Sequence, residues 1–274
     1  MNIVKTNIPY NSDILTQNIH ELLHKYPFLN VQTVGLSVLK KPIYVIRLGR
    51  GRNNVFYSGG IHGNEWITTP LLMKFVEDYC IAHKNNSNLY NTSIRRLFNS
   101  TSIYIMPMVN PDGVDLVTDN LNHDSKEYLK AKSISNNYPN IPFPDGWKAN
   151  INGVDLNLQF PAGWENAREI KFAQGFTSPA PRDFVGNSPL SEPESQAIYE
   201  FTLSHNFRLV LAYHTQGKEI YWQFVDYNPP KSREIGQKFS SSSGYLLADT
   251  PYASSFAGYK DWFIQKYNKP RIHY

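Results

Sequence analysis

The amino-acid sequence predicts an α/β fold, with a mixed parallel and antiparallel twisted sheet that carries helices on both faces. Apolar strand segments alternate along the chain with segments of helical periodicity, which is the pattern of a sheet covered by helices. A length of 274 residues and a hydrophobic fraction of 41% allow one large core and exclude a disordered chain. We expect a single domain over residues 1–274.

Four segments predict the buried strands of this sheet. Each is rich in β-branched or aromatic residues and ends in a glycine, a proline or a histidine. They are residues 42–49, 54–60, 102–111 and 207–214. The segment 271–274, "RIHY", begins the same pattern at the end of the chain. We therefore expect the last strands of the sheet to be missing.

Four further segments predict helices, because their apolar residues recur at the helical period. They are residues 18–28, 70–84, 191–205 and 259–267. The third begins with Ser191 and Glu194, an S-x-x-E pair typical of a capping box. The stretch 120–189 has little periodicity, and an irregular segment of this length is more often functional than filler.

Charge and composition argue against several functions. The formal net charge is +4, with Lys and Arg scattered along the chain, which argues against a nucleic-acid partner. No apolar run approaches the ~20 residues of a membrane span, and the N-terminus lacks a signal-peptide pattern. We therefore expect no membrane partner and a cytoplasmic location. Cys80 is the single cysteine, which excludes an internal disulfide, and nothing in the sequence indicates an oligomeric state.

A candidate metal site lies in "SGGIHGNEW", residues 58–66. His62 and Glu65 are three positions apart, which on a helical turn places both side chains on one face. Catalytic zinc takes three protein ligands and one water, and His, His and Glu is one known set. His214, at the end of another strand, is the best third ligand, so we expect these three residues to bind Zn²⁺. The alternative is a surface turn with a hydrogen-bonded histidine and no metal.

Six sequence blocks resemble the zinc metallocarboxypeptidases of the M14 type, in the same order as in that family. They are "GGIHGNEWIT", "MPMVNPDGVD", "GVDLNLQF", "SPLSEPES", "LAYHTQG" and "YASSFAGYKDW". They are distributed along the chain from Gly59 to Trp262. The resemblance implies a zinc carboxypeptidase-like fold and metal-assisted hydrolysis of an amide, with zinc held by His62, Glu65 and His214.

Two segments resemble one bacterial branch of that family more closely. "GVDLNLQFPAGWE" and "FAQGFTSPAPRDFVG" are similar to the γ-D-glutamyl-meso-diaminopimelate peptidases, cell-wall endopeptidases of spore-forming bacteria. The implied substrate is a peptidoglycan stem peptide. Digestive carboxypeptidases have an arginine after the asparagine of the third block, where this chain has Leu158 after Asn157. A leucine cannot pair with a terminal carboxylate, so simple removal of C-terminal residues is not expected.

The resemblance also implies roles for further side chains. Lys148 stands near the place of a family arginine and is expected to supply positive charge to the oxyanion. Tyr252 resembles the mobile tyrosine that hydrogen-bonds substrate, although a packed loop aromatic is an equal alternative. Side chains that we assign to substrate binding, as amide donors or as a carboxylate partner, are Asn157, Gln159, Arg182 and Gln216.

Two other functions stay open at this point. One is a zinc amidohydrolase that deacylates small N-acyl amino acids on the same scaffold. The other is a zinc-dependent protein that binds cell-wall peptides without cutting them, because the family's general base is absent from the chain. That base is a glutamate on a strand after the Asp-Trp helix, and no glutamate follows Glu234 here.

The resemblance therefore implies that the base lies a few residues beyond Tyr274 and that the chain is C-terminally truncated. General acid–base help is usually worth on the order of 10²–10⁴-fold. We expect a version extended through the next strand to cleave a γ-D-glutamyl-diaminopimelate peptide faster than this chain by that factor. Comparable rates for the two versions would contradict this expectation.

Overall fold

In the computed structural model of the protein, the described residues are 2–269 and 271–273. Within these ranges the helices are α1 (Ser12–Lys25), α2 (Thr68–Lys84), α3 (Ile94–Ser100), α4 (Pro111–Val117), α5 (Lys126–Ser135), α6 (Trp164–Ala173), α7 (Pro193–Leu203), α8 (Ser232–Ser243) and α9 (Tyr259–Tyr267). Over the same residues, no helix is long and apolar enough to span a membrane.

The strands are short to medium in length. They are β1 (Asn30–Leu36), β2 (Pro42–Leu48), β3 (Asn53–Ser58), β4 (Asn88–Leu89), β5 (Thr92–Ser93), β6 (Thr101–Met106), β7 (Leu209–Ala212), β8 (Glu219–Tyr221), β9 (Leu246–Ala248) and β10 (Arg271–His273). The pair β4–β5 forms a separate small hairpin.

The main sheet has the strand order β1-β2-β6-β3-β7-β10-β8-β9. Its centre, β6-β3-β7-β10, is parallel. On one side β2 pairs antiparallel with β6 and β1 pairs antiparallel with β2, and on the other side β8 pairs antiparallel with β10. Strands β8 and β9 are parallel to each other. The predicted α/β class with a mixed sheet is confirmed. Because β3 and β7 are parallel neighbours, their carboxyl ends meet at one edge of the sheet.

Two apolar cores cover the two faces of this sheet. On β3, Phe56 packs into a core with α6, α7 and α9, while its neighbours Val55 and Tyr57 pack into the other core with α1 and α2. This alternation is the two-residue period of a strand, so both faces of the central strands are apolar. The parallel centre is consequently buried under helices on both sides, as parallel strands require.

The helix predictions differ from the structure in places. The predicted helix at 18–28 begins earlier, at Ser12, because the Asn11 side chain accepts a hydrogen bond from the Ile14 backbone N–H. The stretch 120–189, predicted to be irregular, contains α5 and α6. Both are ten-residue helices with few buried positions, so their periodicity is weak. Helix α9 has the predicted bounds.

The predicted capping box before α7 is wrong. The helix begins at Pro193 without a side-chain cap, and the Ser191 hydroxyl donates to Gln159 Oε1 and to the Glu192 carboxylate. Glu194 turns inwards and is buried, where its carboxylate accepts from Val38 N at 3.0 Å and Asn150 Nδ2 at 3.2 Å. Its role is therefore to tie the turn after β1 to the segment around Asn150.

Burial has an electrostatic consequence at Glu194. Desolvation, with the nearby Asp112 carboxylate, raises the pKa of Glu194 from 4.5 to about 7, although the hydrogen bonds from Val38 and Asn150 oppose this shift. The folded chain thus binds this proton more tightly than the unfolded chain does. Its stabilising contribution is complete below pH 4.5 and is lost as the pH rises through about 7.

Substitution Glu194→Gln is expected to flatten the dependence of the free energy of unfolding on pH between about 5 and 8. The neutral amide cannot release the proton whose loss destabilises the wild type. Loss of the bond to Asn150 lowers the overall stability by about 1 kcal/mol at all pH values. Urea unfolding across this range measures the slope. Glu200→Gln, at an exposed position of the same helix, is the control and keeps the wild-type slope.

An equal slope in wild type and the Glu194→Gln variant would show that Glu194 is not the titrating group.

Candidate metal centre

A tight turn after β3 positions His62 and Glu65. Gly60 has φ +58°, a left-handed conformation that favours glycine, and its N–H donates to the Thr68 hydroxyl at 2.8 Å. The same hydroxyl donates to the Glu65 carbonyl at 2.9 Å. Residues 63–65 form one 3-10 turn that leads into α2. The chain is thereby fixed on both sides of the two functional side chains.

Close backbone packing brings Lys148 to this turn. Gly63 N donates to the Lys148 carbonyl at 3.0 Å, and Asn64 N donates to the Trp147 carbonyl at 2.9 Å. A Cβ atom on Gly63 would lie 2.6 Å from the Gly113 carbonyl oxygen, so glycine is required by contact rather than by its dihedral angles. The turn can therefore lie directly against the segment that carries Lys148.

His214 reaches the same place from β7. Strands β3 and β7 pair in parallel with Ser58 opposite Ala212, and Tyr213 N donates to the Ser58 carbonyl at 2.8 Å. His214 follows immediately. The register of two neighbouring strands therefore places His214 beside the turn that carries His62.

The three predicted ligands converge. Glu65 Oε1 lies 3.1 Å from His62 Nδ1, and Glu65 Oε2 lies 2.9 Å from His214 Nδ1. The two imidazole ring centroids are 4.9 Å apart. One ligand atom from each of the three side chains lies within 4.8 Å of the others. The side chains of all three residues are at least nine-tenths buried.

This donor set fits a zinc ion. Two imidazole nitrogens and one carboxylate oxygen are ligands that catalytic zinc takes in proteins, with the fourth position open to water. His62 Nδ1 is buried and faces Glu65 without a well-directed hydrogen bond. A divalent cation between the two would satisfy both groups, whereas a buried carboxylate and imidazole left without one are costly.

Asp155 supports the site from behind, and no role was assigned to it from the sequence. Its Oδ1 lies 3.3 Å from His62 Nε2, on the opposite side of the ring from Glu65. Its other oxygen accepts from Asp183 N at 3.1 Å. A carboxylate on the far nitrogen of a ligating histidine fixes the ring orientation and raises its basicity. The signal for Asp155 was its place in the "GVDLNLQF" block.

The pKa shifts reflect this arrangement. Burial lowers the pKa of His62, but the charges of Glu65 and Asp155 outweigh burial and raise it to about 9. Burial opposes ionisation of Glu65, yet His62 and His214 hold the pKa of Glu65 well below its usual range. Burial lowers the pKa of His214, despite the opposing charge of Glu65. The two carboxylates therefore favour a positive charge at His62, which is a charge that a bound cation would supply.

A cavity of about 260 Å³ opens onto the three ligands. Its charged lining is balanced: four cations and four carboxylates of the described residues contribute to it. They are Lys148, Lys171, Arg182 and Lys260, with Glu65, Asp155, Asp183 and Asp261. A cavity with this lining suits a small ligand that carries several charges of both signs.

Three of the predicted substrate and oxyanion residues line this cavity. Lys148 Nζ lies 3.5 Å from Glu65 Oε1, beside the metal ligands. Asn157 accepts from Tyr259 N at 3.2 Å. Arg182 Nε donates to Asp183 Oδ2 at 2.7 Å, and Lys171 Nζ pairs with the other oxygen of the same carboxylate, Asp183 Oδ1, at 2.6 Å. Their positions are compatible with the roles that the sequence predicts.

Three other predicted residues lie outside the described cavity lining. Gln159 is fully buried, and its amide holds Val185, Ser191 and Glu192 in the loop before α7. Gln216 is on the surface with φ +75°. Tyr252 is 68% exposed, and its ring contacts Phe256 at 5.1 Å between centroids. In this structure Gln159 has a packing role, Gln216 lines a second cavity together with His214, and Tyr252 lies on the surface.

Substitution Asp155→Asn is expected to weaken zinc binding by about 10–100-fold, because the amide cannot supply the negative charge behind His62. Competition against a chromophoric chelator measures the affinity directly and needs no substrate. Asp145→Asn, in the loop before Trp147, is the control and leaves the affinity unchanged. An unchanged affinity in the Asp155→Asn variant would contradict the assignment of His62 as a ligand.

Comparison with known proteins identifies the fold and the family. Residues 15–269 match the zinc carboxypeptidase family, Peptidase_M14. The crystal structure of thrombin activatable fibrinolysis inhibitor (TAFI) superposes with a TM-score of 0.73 at 18% identity, over 100% of this chain and 68% of that chain. At this identity the likeness concerns the fold alone.

Two bacterial relatives are closer in sequence. Gamma-D-glutamyl-L-diamino acid endopeptidase 1 of Lysinibacillus sphaericus is 44% identical over 261 residues, which are 95% of this chain and 64% of that protein. Uncharacterized protein YqgT of Bacillus subtilis (strain 168) is 38% identical over 262 residues, 95% of this chain and 68% of that protein. The chain thus spans about two thirds of each relative. It belongs to the zinc carboxypeptidase family, whose metal the His62–Glu65–His214 group fits.

Proposed function

We propose that this protein hydrolyses, with zinc, the amide bond between γ-D-glutamate and diaminopimelate in peptidoglycan stem peptides. The observation that carries the proposal is the buried His62–Glu65–His214 group at the base of a cavity lined by charges of both signs. The name of the 44% identical relative, a γ-D-glutamyl-L-diamino acid endopeptidase, supports the substrate class. A stem peptide carries both carboxylates and an amine, which matches the charge of the lining.

When bound, zinc would polarise the scissile carbonyl and lower the pKa of a coordinated water. The residues of the chain would orient the ligands, supply positive charge and exclude bulk water. Asp155 keeps the His62 ring in its orientation. Lys148, 3.5 Å from Glu65, places a positive charge beside the metal ligands, where negative charge develops on the carbonyl oxygen. Burial of the ligands excludes bulk water and strengthens these interactions.

Leu158 argues against the removal of a free C-terminal residue and therefore favours cleavage of a different bond. It lines the cavity next to Asn157. The resemblance to digestive carboxypeptidases places there an arginine that grips a terminal carboxylate, and leucine has no donor for this purpose. The charged lining also disfavours, among the small N-acyl amino acids of the rival deacylase, those with an apolar side chain.

Among the described residues, every cavity carboxylate that could act as a general base already has a hydrogen-bond or ion-pair partner. Asp155 serves His62, Asp183 serves Lys171 and Arg182, and Asp261 accepts from Gly258 N at 3.0 Å and pairs with Lys260. The engagement of these carboxylates favours a second candidate function, zinc-dependent binding of the same peptides without cleavage.

The test is a single-turnover assay, with zinc-loaded protein in excess over a γ-D-glutamyl-diaminopimelate peptide, an N-acyl amino acid and an ordinary C-terminal peptide. Cleavage of the first, loss of cleavage with a chelator and recovery with zinc would support the proposal. Preference for either of the other two would overturn it. Tight calorimetric binding of the first without any cleavage would favour the second candidate function.

Substitution Lys148→Met is expected to lower the single-turnover rate constant by on the order of 10²-fold, the usual effect of losing one donor to a developing oxyanion. Substrate affinity should change much less, since the charge is needed mainly in the transition state. Lys148→Arg keeps the charge and should retain most of the rate. An unchanged rate in Lys148→Met, with zinc content equal to wild type, would contradict this role.

A further inference from the structure

A cavity of about 550 Å³ near the amino ends of the central strands has no part in the metal centre. Three arginines on different elements contribute to its lining, together with three aromatic rings. These six residues are Arg47, Arg50, Arg95, Phe28, His83 and Phe98. We call this cavity the arginine pocket.

The arginine pocket is remote from the zinc site. Arg50 N donates to the Phe98 carbonyl at 2.8 Å, close to Asn53 and Thr101, the paired first residues of β3 and β6. The metal ligands follow the opposite ends of β3 and β7. A strand of six residues such as β3 is about 20 Å long, so a small ligand in the pocket does not reach the metal ligands.

The pocket contains no carboxylate among its described lining residues. All of them belong to the segments 22–64 and 79–111, neither of which contains an Asp or a Glu. Arg47 Nη2 donates to the Ser102 hydroxyl at 2.9 Å, and Arg50 Nε donates to Asn99 Oδ1 at 2.9 Å. These neutral acceptors orient the guanidinium groups without compensating their charge. The cavity at the metal centre differs, because carboxylates there balance the cations.

A tight turn holds Arg50 at the pocket. The turn lies in the sequence RLGRGR, and a Cβ atom on Gly49 would lie 2.2 Å from the Thr101 carbonyl oxygen. A Cβ atom on Gly51 would lie 1.9 Å from the nearest backbone atom. The two glycines therefore allow the turn to pack directly against the start of β6. The Arg50 guanidinium lies 5.9 Å from the centroid of the Phe98 ring.

Stacked rings form a neutral wall of the pocket. The rings of His83 and Phe98 are stacked with centroids 4.0 Å apart, and Phe28 contacts His83 edge-on at 4.6 Å. Burial and the charge of Arg50 lower the pKa of His83, so the imidazole is uncharged at pH 7. The wall therefore supplies shape but no negative charge, and the three guanidinium charges are available to an anionic ligand.

We propose that the arginine pocket binds a phosphate group. Guanidinium groups pair with phosphate oxygens through two parallel hydrogen bonds. A phosphate monoester carries nearly two negative charges at neutral pH, whereas a carboxylate carries one, so three arginines without a carboxylate partner favour phosphate. Such a site is independent of the hydrolytic function, because none of its described residues belongs to the metal centre.

Calorimetric titration of the zinc-loaded protein at low ionic strength tests the ligand class. The probes are inorganic phosphate, glycerol 3-phosphate and acetate. Both phosphates are expected to bind with a dissociation constant of roughly 1 mM or lower, and acetate about tenfold more weakly or less. Equal affinities for acetate and phosphate would overturn the proposal, as would the absence of phosphate binding.

Two substitutions at exposed positions test the site. Arg50→Ala and Arg95→Ala are each expected to weaken phosphate binding by about 10–100-fold, the range for the loss of charged hydrogen bonds. Arg96→Ala is the matched control, because this exposed arginine on α3 is not among the described lining residues, and it keeps the wild-type affinity. Thermal melting verifies that each variant is folded. Phosphate bound to zinc would be insensitive to both substitutions.

An equal loss of affinity in Arg50→Ala, Arg95→Ala and Arg96→Ala would overturn the proposal, because net charge alone would then explain binding. Co-sedimentation with vesicles of phosphatidylcholine and phosphatidylglycerol distinguishes the source of the phosphate. Vesicle binding that Arg50→Ala abolishes and inorganic phosphate inhibits would identify a lipid headgroup. Binding of glycerol 3-phosphate without binding to vesicles would identify a soluble ester, and both outcomes support the phosphate site.

Discussion

One buried carboxylate between two imidazoles determines the rest of this site. Glu65 faces His62 with one oxygen and His214 with the other, at 3.1 and 2.9 Å. The three side chains come from the turn after β3 and from the end of β7. Such a cluster of ionisable groups is costly to bury without compensation. A divalent cation supplies that compensation, and Asp155 on the far side of His62 stabilises the ring that would hold it.

The strand pairing of the sheet brings the three metal ligands together. Parallel pairing of β3 with β7 brings their carboxyl ends together, and the Tyr213–Ser58 hydrogen bond sets the register. The turn at Gly63 then packs backbone against backbone on the segment that carries Lys148. The ligands and the cation beside them are consequently fixed by main-chain contacts, which leaves the remaining cavity lining to determine which peptide fits.

Sequence patterns predicted the elements whose signal is strong and local. The central strands β2, β3, β6 and β7 are apolar runs, and all were expected. Strands β1 and β8 were not predicted, since they are short or largely solvent-exposed and have no clear apolar alternation. The prediction of a capping box at Ser191–Glu194 was wrong, because the same residue types at the same spacing also occur where the glutamate is buried. Only the contacts of Glu194 with Val38 and Asn150 distinguish the two cases.

The residues of the site also differ in whether a local sequence pattern predicts them. His62 and Glu65 follow from spacing and glycines, and His214 from its position at a strand end. Asp155 had only its place in the "GVDLNLQF" block as a signal, because its role arises from a contact with His62, a residue distant in sequence. Gln159 looked like a ligand-binding amide but satisfies buried backbone groups instead.

X-ray absorption spectroscopy of the zinc-loaded protein tests the central claim most directly. The account predicts one zinc per chain, with two imidazole nitrogens at about 2.0–2.1 Å and carboxylate and water oxygens at about 2.0–2.2 Å. The imidazole signal should fall by half in His62→Ala and in His214→Ala. An all-oxygen shell, a sulfur ligand, or an unchanged spectrum in both variants would contradict it.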